Sequence, residues 1–528
     1  MLFNSYVFIF AFLPVALLGF FLISRFDRNL GMFWLFCASL FFYGWWNPAF
    51  VILILVSIFV NYGFFLWLTR PDHRSPIIAK CELAAGILFN LGVLGYYKYT
   101  DFIIVNLNHY TSSFFILQHI ILPIGLSFYT FEQIACLVDS YHGDIKRGNL
   151  LEYCIFISFF PRLIAGPIVR YQEIIPQFKK HETYHLHYSN LSVGLTIFFI
   201  GLFKKVVLAD NIAVYANIVF EAAGKGVQLT LFEAWFGALA YTFQLYFDFS
   251  GYTDMAIGLA RMFNIILPLN FYSPYKAKNI IEFWRCWHVT LSRFLRDYLY
   301  IPLGGNRKGE IRRYVNLMGT MLLGGLWHGA GWTFVLWGGV HGVYLIINQA
   351  WRHIVVKLGL KPPVRYQWLT DRFAQSLTFV GVVFAWVLFR AKSLSEAMAV
   401  FSGMIGSHIS MPKLMMIKLG SLGDILASKG IKFTGAFPNV VSQFPDGQIT
   451  AIFIVAISFV IIWFLPNTSE FMSNYKPVLK HHGVGETASF SLKLQWRPNL
   501  AWFLFIFIIA ACSLSDLNHV REFLYYQF

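Results

Sequence analysis

The chain has 528 residues, 57% of them hydrophobic, 19% aromatic and only 13% charged, with a mean hydropathy of +0.59. A soluble domain carries about 25% charged residues, so a water-facing globule of this length is excluded and a bilayer must supply the missing apolar solvent. The net charge of +15, from 41 basic and 26 acidic residues, lies in short loops between apolar runs; that argues against nucleic-acid binding, which needs a basic stripe on a soluble domain, and fits the positive-inside rule.

Apolar runs of the kind that cross a membrane as helices of about 20 residues are expected near residues 2–24, 30–46, 49–69, 83–97, 113–137, 150–168, 191–209 and 231–249. More follow near 314–326, 332–350, 375–390, 450–465 and 499–514. Re-entrant or partly inserted segments are expected among them, so the true crossings are fewer. Leu2 to Ser24 has no basic residue before it and Arg25 and Arg28 after it; it reads as an uncleaved span with its N-terminus outside, not as a signal peptide. The uncharged Trp45-Trp46-Asn47-Pro48 connection belongs outside. Arg70, Arg74 and Lys80, then Lys146 and Arg147, and later Arg307, Lys308, Arg312 and Arg313 belong inside. Residues 403–449 and 466–498 are the longest moderately polar connections, and no repeat or separate soluble domain is visible. The expected fold is an all-α, polytopic integral membrane helical bundle forming one domain over 1–528. Cys37, Cys81, Cys136, Cys154, Cys286 and Cys512 form no CxxC pair and sit mostly in apolar surroundings; they read as small hydrophobes, and no metal site is expected.

Several residues could carry chemistry. Asn279 to Tyr300 reads as an amphipathic helix too charged to span, with an apolar row Ile281, Trp284, His288, Leu291, Leu295 and Leu299 at steps of three and four. Glu282, Arg285, Arg293 and Arg296 fall on other faces, and His288 stands where a leucine would be expected. The run Gly324-Gly325-Leu326-Trp327-His328-Gly329-Ala330-Gly331-Trp332 sets a histidine among glycines, which allow close approach, and aromatics. An imidazole inside a membrane protein faces a cavity or a partner and is suited to take a hydroxyl proton near neutral pH; the structural alternative is a histidine bonded to a carbonyl. His341, thirteen positions on, would not share a helix face with His328 and reads mainly as a packing residue. Asp248 and Asp254 read as capping or network carboxylates more than as a paired acid/base site. Leu303 to Arg307 lacks the Lys-Ser/Thr of a P-loop. Without a G-x-S-x-G or HExxH motif, a covalent serine or zincin mechanism has no support.

Together, Glu282-Phe283-Trp284-Arg285-Cys286-Trp287-His288, Leu295 through Arg307, Gly324 through Gly329, Tyr246 through Gly258, Leu122 through Tyr129 and Leu163 through Pro167 resemble the signature blocks of membrane-bound O-acyltransferases. The ending Phe523 to Phe528 is similar to the AlgI-like polysaccharide O-acetyltransferase branch, although Cys286 replaces a second arginine usual there. The resemblance implies re-entrant and amphipathic helices around a central funnel in a bacterial inner membrane. It implies His328 as the essential histidine, with His288 as its companion. It also implies acetyl-CoA as donor, no permanently bound cofactor, contact with membrane lipid, and a periplasmic SGNH-type acetyltransferase partner. The acceptor would be an exported polymer, alginate-like, with peptidoglycan or cellulose as further possibilities. On this expectation His328 takes the acceptor's proton and His288 or a nearby amide steadies the oxyanion. The rivals are D-alanyl transfer to teichoic acid and a non-enzymatic transporter of a polysaccharide or lipid precursor.

Overall fold

The computed structural model describes residues 1–70, 75–111, 114–359, 364–479, 492, 494–519 and 523–524. Arg74 and residues 525–528 of the C-terminal signature lie outside them. The described residues form helices and turns, with two isolated bridges and no strand. Among the described residues five helices are long and apolar enough to cross a membrane: Ala49–Leu68, Pro76–Thr111, Tyr188–Gly224, Gln367–Arg390 and Gly447–Phe464; Phe8–Ile23 and Leu500–Ser515 are shorter apolar helices.

Two of the long helices are composite. α1 (Pro76–Leu94) passes through a wide π-helical turn, Gly95–Tyr99, into α2 (Thr100–Thr111). In the same way α3 (Tyr188–Phe203) passes through Lys204–Ala209 into α4 (Asp210–Gly224). Two expected spans are interrupted. Within 113–137 no helix is described before Leu126, because Pro123 disfavours helix and Gly125 enters the next one in a left-handed conformation at φ +78°. Within 150–168 the chain turns at Phe159, directly before Phe160 and Pro161.

The centre of the bundle is α5 (Leu231–Met262), which runs well past the expected end at 249. A capping box starts it: the Thr230 hydroxyl accepts from Glu233 N–H at 3.3 Å, and the Glu233 carboxylate accepts from Thr230 N–H at 2.8 Å. Every residue from Ala240 to Ala260 is buried, as expected of a helix packed on all sides. α3 lies antiparallel to it along a glycine seam. A Cβ added to Gly258 would come 2.5 Å from Gly194 O, and one added to Gly251 would come 2.8 Å from Gly201 O. Such small residues let two membrane helices approach closely. Along the same seam Lys204 Nζ meets Asp254 at 2.6 Å, and Lys205 Nζ meets Asp248 at 2.6 Å and Asp210 at 2.8 Å. Asp248 and Asp254 are therefore mid-helix ion-pair members, as the network reading expects, and cap no helix.

Two hydrophobic clusters meet on α5. Residues from Tyr252 onward join the N-terminal helices in one, and residues up to Phe249 join the later helices in the other. The seam predicts that Gly258→Val lowers the thermal midpoint of the detergent-solubilised protein, with a loss of about 1–3 kcal/mol typical of overpacking. Unfolding monitored by tryptophan fluorescence checks this.

Candidate active site

α6 (Glu310–His328) ends on the histidine of the glycine-rich run, and α7 (Trp332–Lys357) turns straight back along it. The glycines permit that contact: a Cβ on Gly325 would fall 2.3 Å from Phe334 O, and one on Gly338 would fall 2.2 Å from Met321 O. They serve backbone against backbone, so their presence by itself does not mark a ligand. The last carbonyls of α6, which have no partner within the helix, are taken by the π-helical turn. Tyr99 Oη donates to Leu326 O at 3.0 Å, and Lys98 Nζ donates to Trp327 O and, at 3.2 Å, to His328 O. These contacts fix the backbone from which the His328 ring projects.

The amphipathic helix expected over Asn279 to Tyr300 is broken. α8 (Ile280–Cys286) starts at Asn279, whose side chain accepts from Glu282 N–H at 3.0 Å, and α9 (Val289–Leu295) begins after His288. His288 sits between them in a left-handed conformation, φ 42° and ψ 53°. That conformation costs a non-glycine residue about 1–2 kcal/mol and persists where surrounding structure enforces it. The apolar row at steps of three and four thus does not continue as one helix stripe, and the reason it gave for His288 fails. The residue nevertheless lies fully buried beside His328.

The two imidazole centroids are 6.5 Å apart. Phe249, 4.8 Å away, Phe271 and Phe128 pack around His288. Trp327 at 4.9 Å, Trp337 at 5.1 Å and Phe389 at 5.2 Å surround His328. His341 is fully buried one aromatic ring away, edge-on to Trp337 at 4.8 Å and Trp284 at 5.1 Å. Neither nitrogen of its ring has a hydrogen-bond partner among the described residues.

A small crevice opens on His328, lined also by Lys98, Ser127, Phe128 and the Pro123–Gly125 turn. A separate cavity of about 480 Å³ is lined by Trp284, Arg285, Val289, Arg293, Arg296 and Tyr300, among others. The arginines that helical spacing set off the apolar row share one cavity. Arg293 is paired with Glu173 at 2.7 Å and Arg296 with Asp297 at 2.6 Å, while Arg285 is exposed. Cys286 is buried and does not line this cavity. Sequence reasoning missed Lys98, Tyr99 and Asn270, which meet the site from distant parts of the chain and carry no local motif.

An all-helical membrane-spanning chain with a buried histidine pair, one member lining a small crevice, and a separate arginine-lined cavity is the class that these observations define. Residues 92–389 match the model of the MBOAT, membrane-bound O-acyltransferase family. The chain belongs to that family and is an O-acyltransferase. It is 45% identical over 433 residues to the peptidoglycan O-acetyltransferase of Helicobacter pylori, covering 77% of this chain and 80% of that one. It is 38% identical over 538 residues to the protein named "Probable alginate O-acetylase AlgI" of Pseudomonas putida, covering 100% of both. A lower similarity, 29% over 282 residues, relates 51% of this chain to 69% of the teichoic acid D-alanyltransferase of Bacillus subtilis.

Because Lys98 and Tyr99 hold the end of α6, Lys98→Met is expected to speed amide hydrogen exchange in peptides spanning 326–332 and to leave those of α5 unchanged. Mass spectrometry of the solubilised protein checks this.

Proposed function

We propose that this enzyme transfers acetyl from acetyl-CoA to hydroxyl groups of an exported polysaccharide in a bacterial inner membrane, with His328 as the catalytic base. The observation that carries the reading is that His328 lines one cavity while its ring neighbour Trp337, 5.1 Å away, packs at 5.8 Å on Trp284, which lines a second cavity. One cavity is rimmed by arginines and suits the phosphates of a polyanionic thioester. It adjoins Tyr300 and α6, near the basic loop 307–313 that the positive-inside rule sets in the cytoplasm. The other contains His328 and suits an acceptor hydroxyl.

Between them lie buried polar groups with no hydrogen-bond partner among the described residues: Trp284 Nε1, Trp337 Nε1 and both nitrogens of His341. Leaving such a group unpaired costs about 1–3 kcal/mol. The amides of a pantetheine arm would satisfy them, which supports a donor path from the arginine cavity toward His328. In the reaction His328 removes the acceptor proton, and the oxygen attacks the thioester carbonyl. The tetrahedral oxyanion collapses with loss of the CoA thiolate, which takes up the proton from the imidazolium. Lys98, held on the carbonyls of Trp327 and His328, brings an N–H donor to the crevice where the oxyanion develops. Enclosure by aromatic rings limits hydrolysis of the thioester.

The relatives named for alginate and peptidoglycan support an exported glycan as acceptor, alginate-like in the first instance. A periplasmic SGNH-type partner would receive or place the acetyl group, and the whole chain would act as one domain. Purified protein with radiolabelled acetyl-CoA and acetyl analysis of the polymer from a deletion strain test the reading; absence of both thioester turnover and an acetylation defect rejects it.

His328→Ala is expected to cut transfer by about 10²–10⁴-fold with membrane insertion intact. His288→Ala should reduce it strongly and His341→Ala less. A His328→Ala strain with normal polymer acetylation would remove this residue from the chemistry. Arg285→Ala should raise KM for acetyl-CoA with little change in kcat, because the exposed guanidinium would bind donor and not the reacting atoms; initial rates across donor concentration measure this.

A further inference from the structure

Asn270 lies in the return segment after α5, fully buried, and meets the His288 turn through both its backbone and its side chain. Its carbonyl accepts from Val289 N–H at 2.9 Å. Its side-chain Oδ1 faces His288 Nδ1 at 3.0 Å and Thr290 Oγ1 at 2.9 Å, with Thr290 N–H at 3.4 Å. The direction of these bonds can be read from their ends. Ile168 N–H can only donate, and it donates to Thr290 Oγ1 at 3.0 Å. The Thr290 hydroxyl then has its own proton to give to Asn270. An amide turned the other way would set its NH₂ against the Thr290 N–H, donor against donor, so the atom facing His288 is the oxygen. An oxygen at that position requires a proton on His288 Nδ1.

We propose that Asn270 is a positioning residue that holds the His288 imidazole with its proton on Nδ1 and its lone pair on Nε2, so that His288 serves the reaction as a hydrogen-bond acceptor beside His328 and not as a hydrogen-bond donor to the oxyanion. The inference rests on the acyl-transfer reading above. It replaces the oxyanion role that the sequence suggested for this residue. A neutral ring whose one N–H is committed to Asn270 has no second N–H to offer a developing anion, whereas Nε2 can accept a hydrogen bond. The same asparagine binds the two amides after His288, Val289 N–H and Thr290 N–H. One side chain and its backbone thus enforce the left-handed turn and orient the ring it presents. Asn270 Nδ2 in turn donates to Thr253 Oγ1 of α5 at 3.4 Å, which ties the arrangement to the central helix.

Solid-state NMR of the protein labelled with ¹⁵N-histidine in lipid tests the tautomer directly, with the His288 signals assigned by their loss in His288→Gln. The expected result is a protonated Nδ1 and an unprotonated Nε2; a proton on Nε2 in the unsubstituted protein overturns the proposal. This readout stands whether or not acetyl transfer is found, so failure of the acyl-transfer reading is separately visible as absent turnover. In kinetics, Asn270→Leu should lower kcat by about 10²-fold with KM for acetyl-CoA little changed. Asn270→Asp, which keeps an acceptor for Nδ1–H, should restore most of the rate. An unchanged kcat in Asn270→Leu, or equal losses in both variants when each is folded by size-exclusion chromatography and thermal melt, overturns it.

Discussion

Charge pairing along one helix seam is the constraint on which the rest of this bundle depends. A charged group taken out of water is costly unless a partner meets it, and α5 carries Asp248 and Asp254 deep in its buried stretch. Lys204 and Lys205, on the π-helical turn between α3 and α4, are the residues that meet them. Glycines on both helices bring the backbones close enough for this to happen. Pairing and close approach together fix the register of the two longest buried elements. That register then sets Phe249 against His288 and Thr253 against Asn270. The site is a consequence of where the ion pairs hold α5.

The site itself combines few polar groups with many aromatic ones. Rings exclude water and leave the histidines without competing solvent, while the polar contacts that remain each have a positional task. Lys98 and Tyr99 end α6, and Asn270 shapes the turn at His288. A wide helical turn in one element and a left-handed residue in another are the local departures from regular geometry that make these contacts possible.

Hydropathy made the class of fold legible, because a bilayer demands long apolar runs and the chain has them. His328 was legible too, since a histidine between glycines and tryptophans at the end of an apolar segment is unusual. The interruption at His288 was not. Spacings of three and four run through Trp284, His288 and Leu291 as though one helix carried them, and no residue there announces a left-handed turn. It is imposed from outside by Asn270, eighteen positions earlier. Lys98 was hidden for the same reason, since its partners lie 229 and 230 residues away. Pro123 and Gly125 could have warned that the expected span over 113–137 starts late. Arg285, Arg293 and Arg296 fall within about 80° of one another on a continuous helical wheel at ~100° per residue, so the cavity they share was within reach of the sequence.

The meeting of two hydrophobic clusters at the histidines has a mechanical consequence. Trp327, just before His328, packs in one cluster, and Trp337, which touches its ring, packs in the other. His288 is likewise flanked by Trp287 of the second cluster and by Leu291 of the first. Close-packed interiors compress little and transmit strain. Each histidine is flanked by both clusters, so a change of packing in either core reaches the pair directly, without any loop having to open.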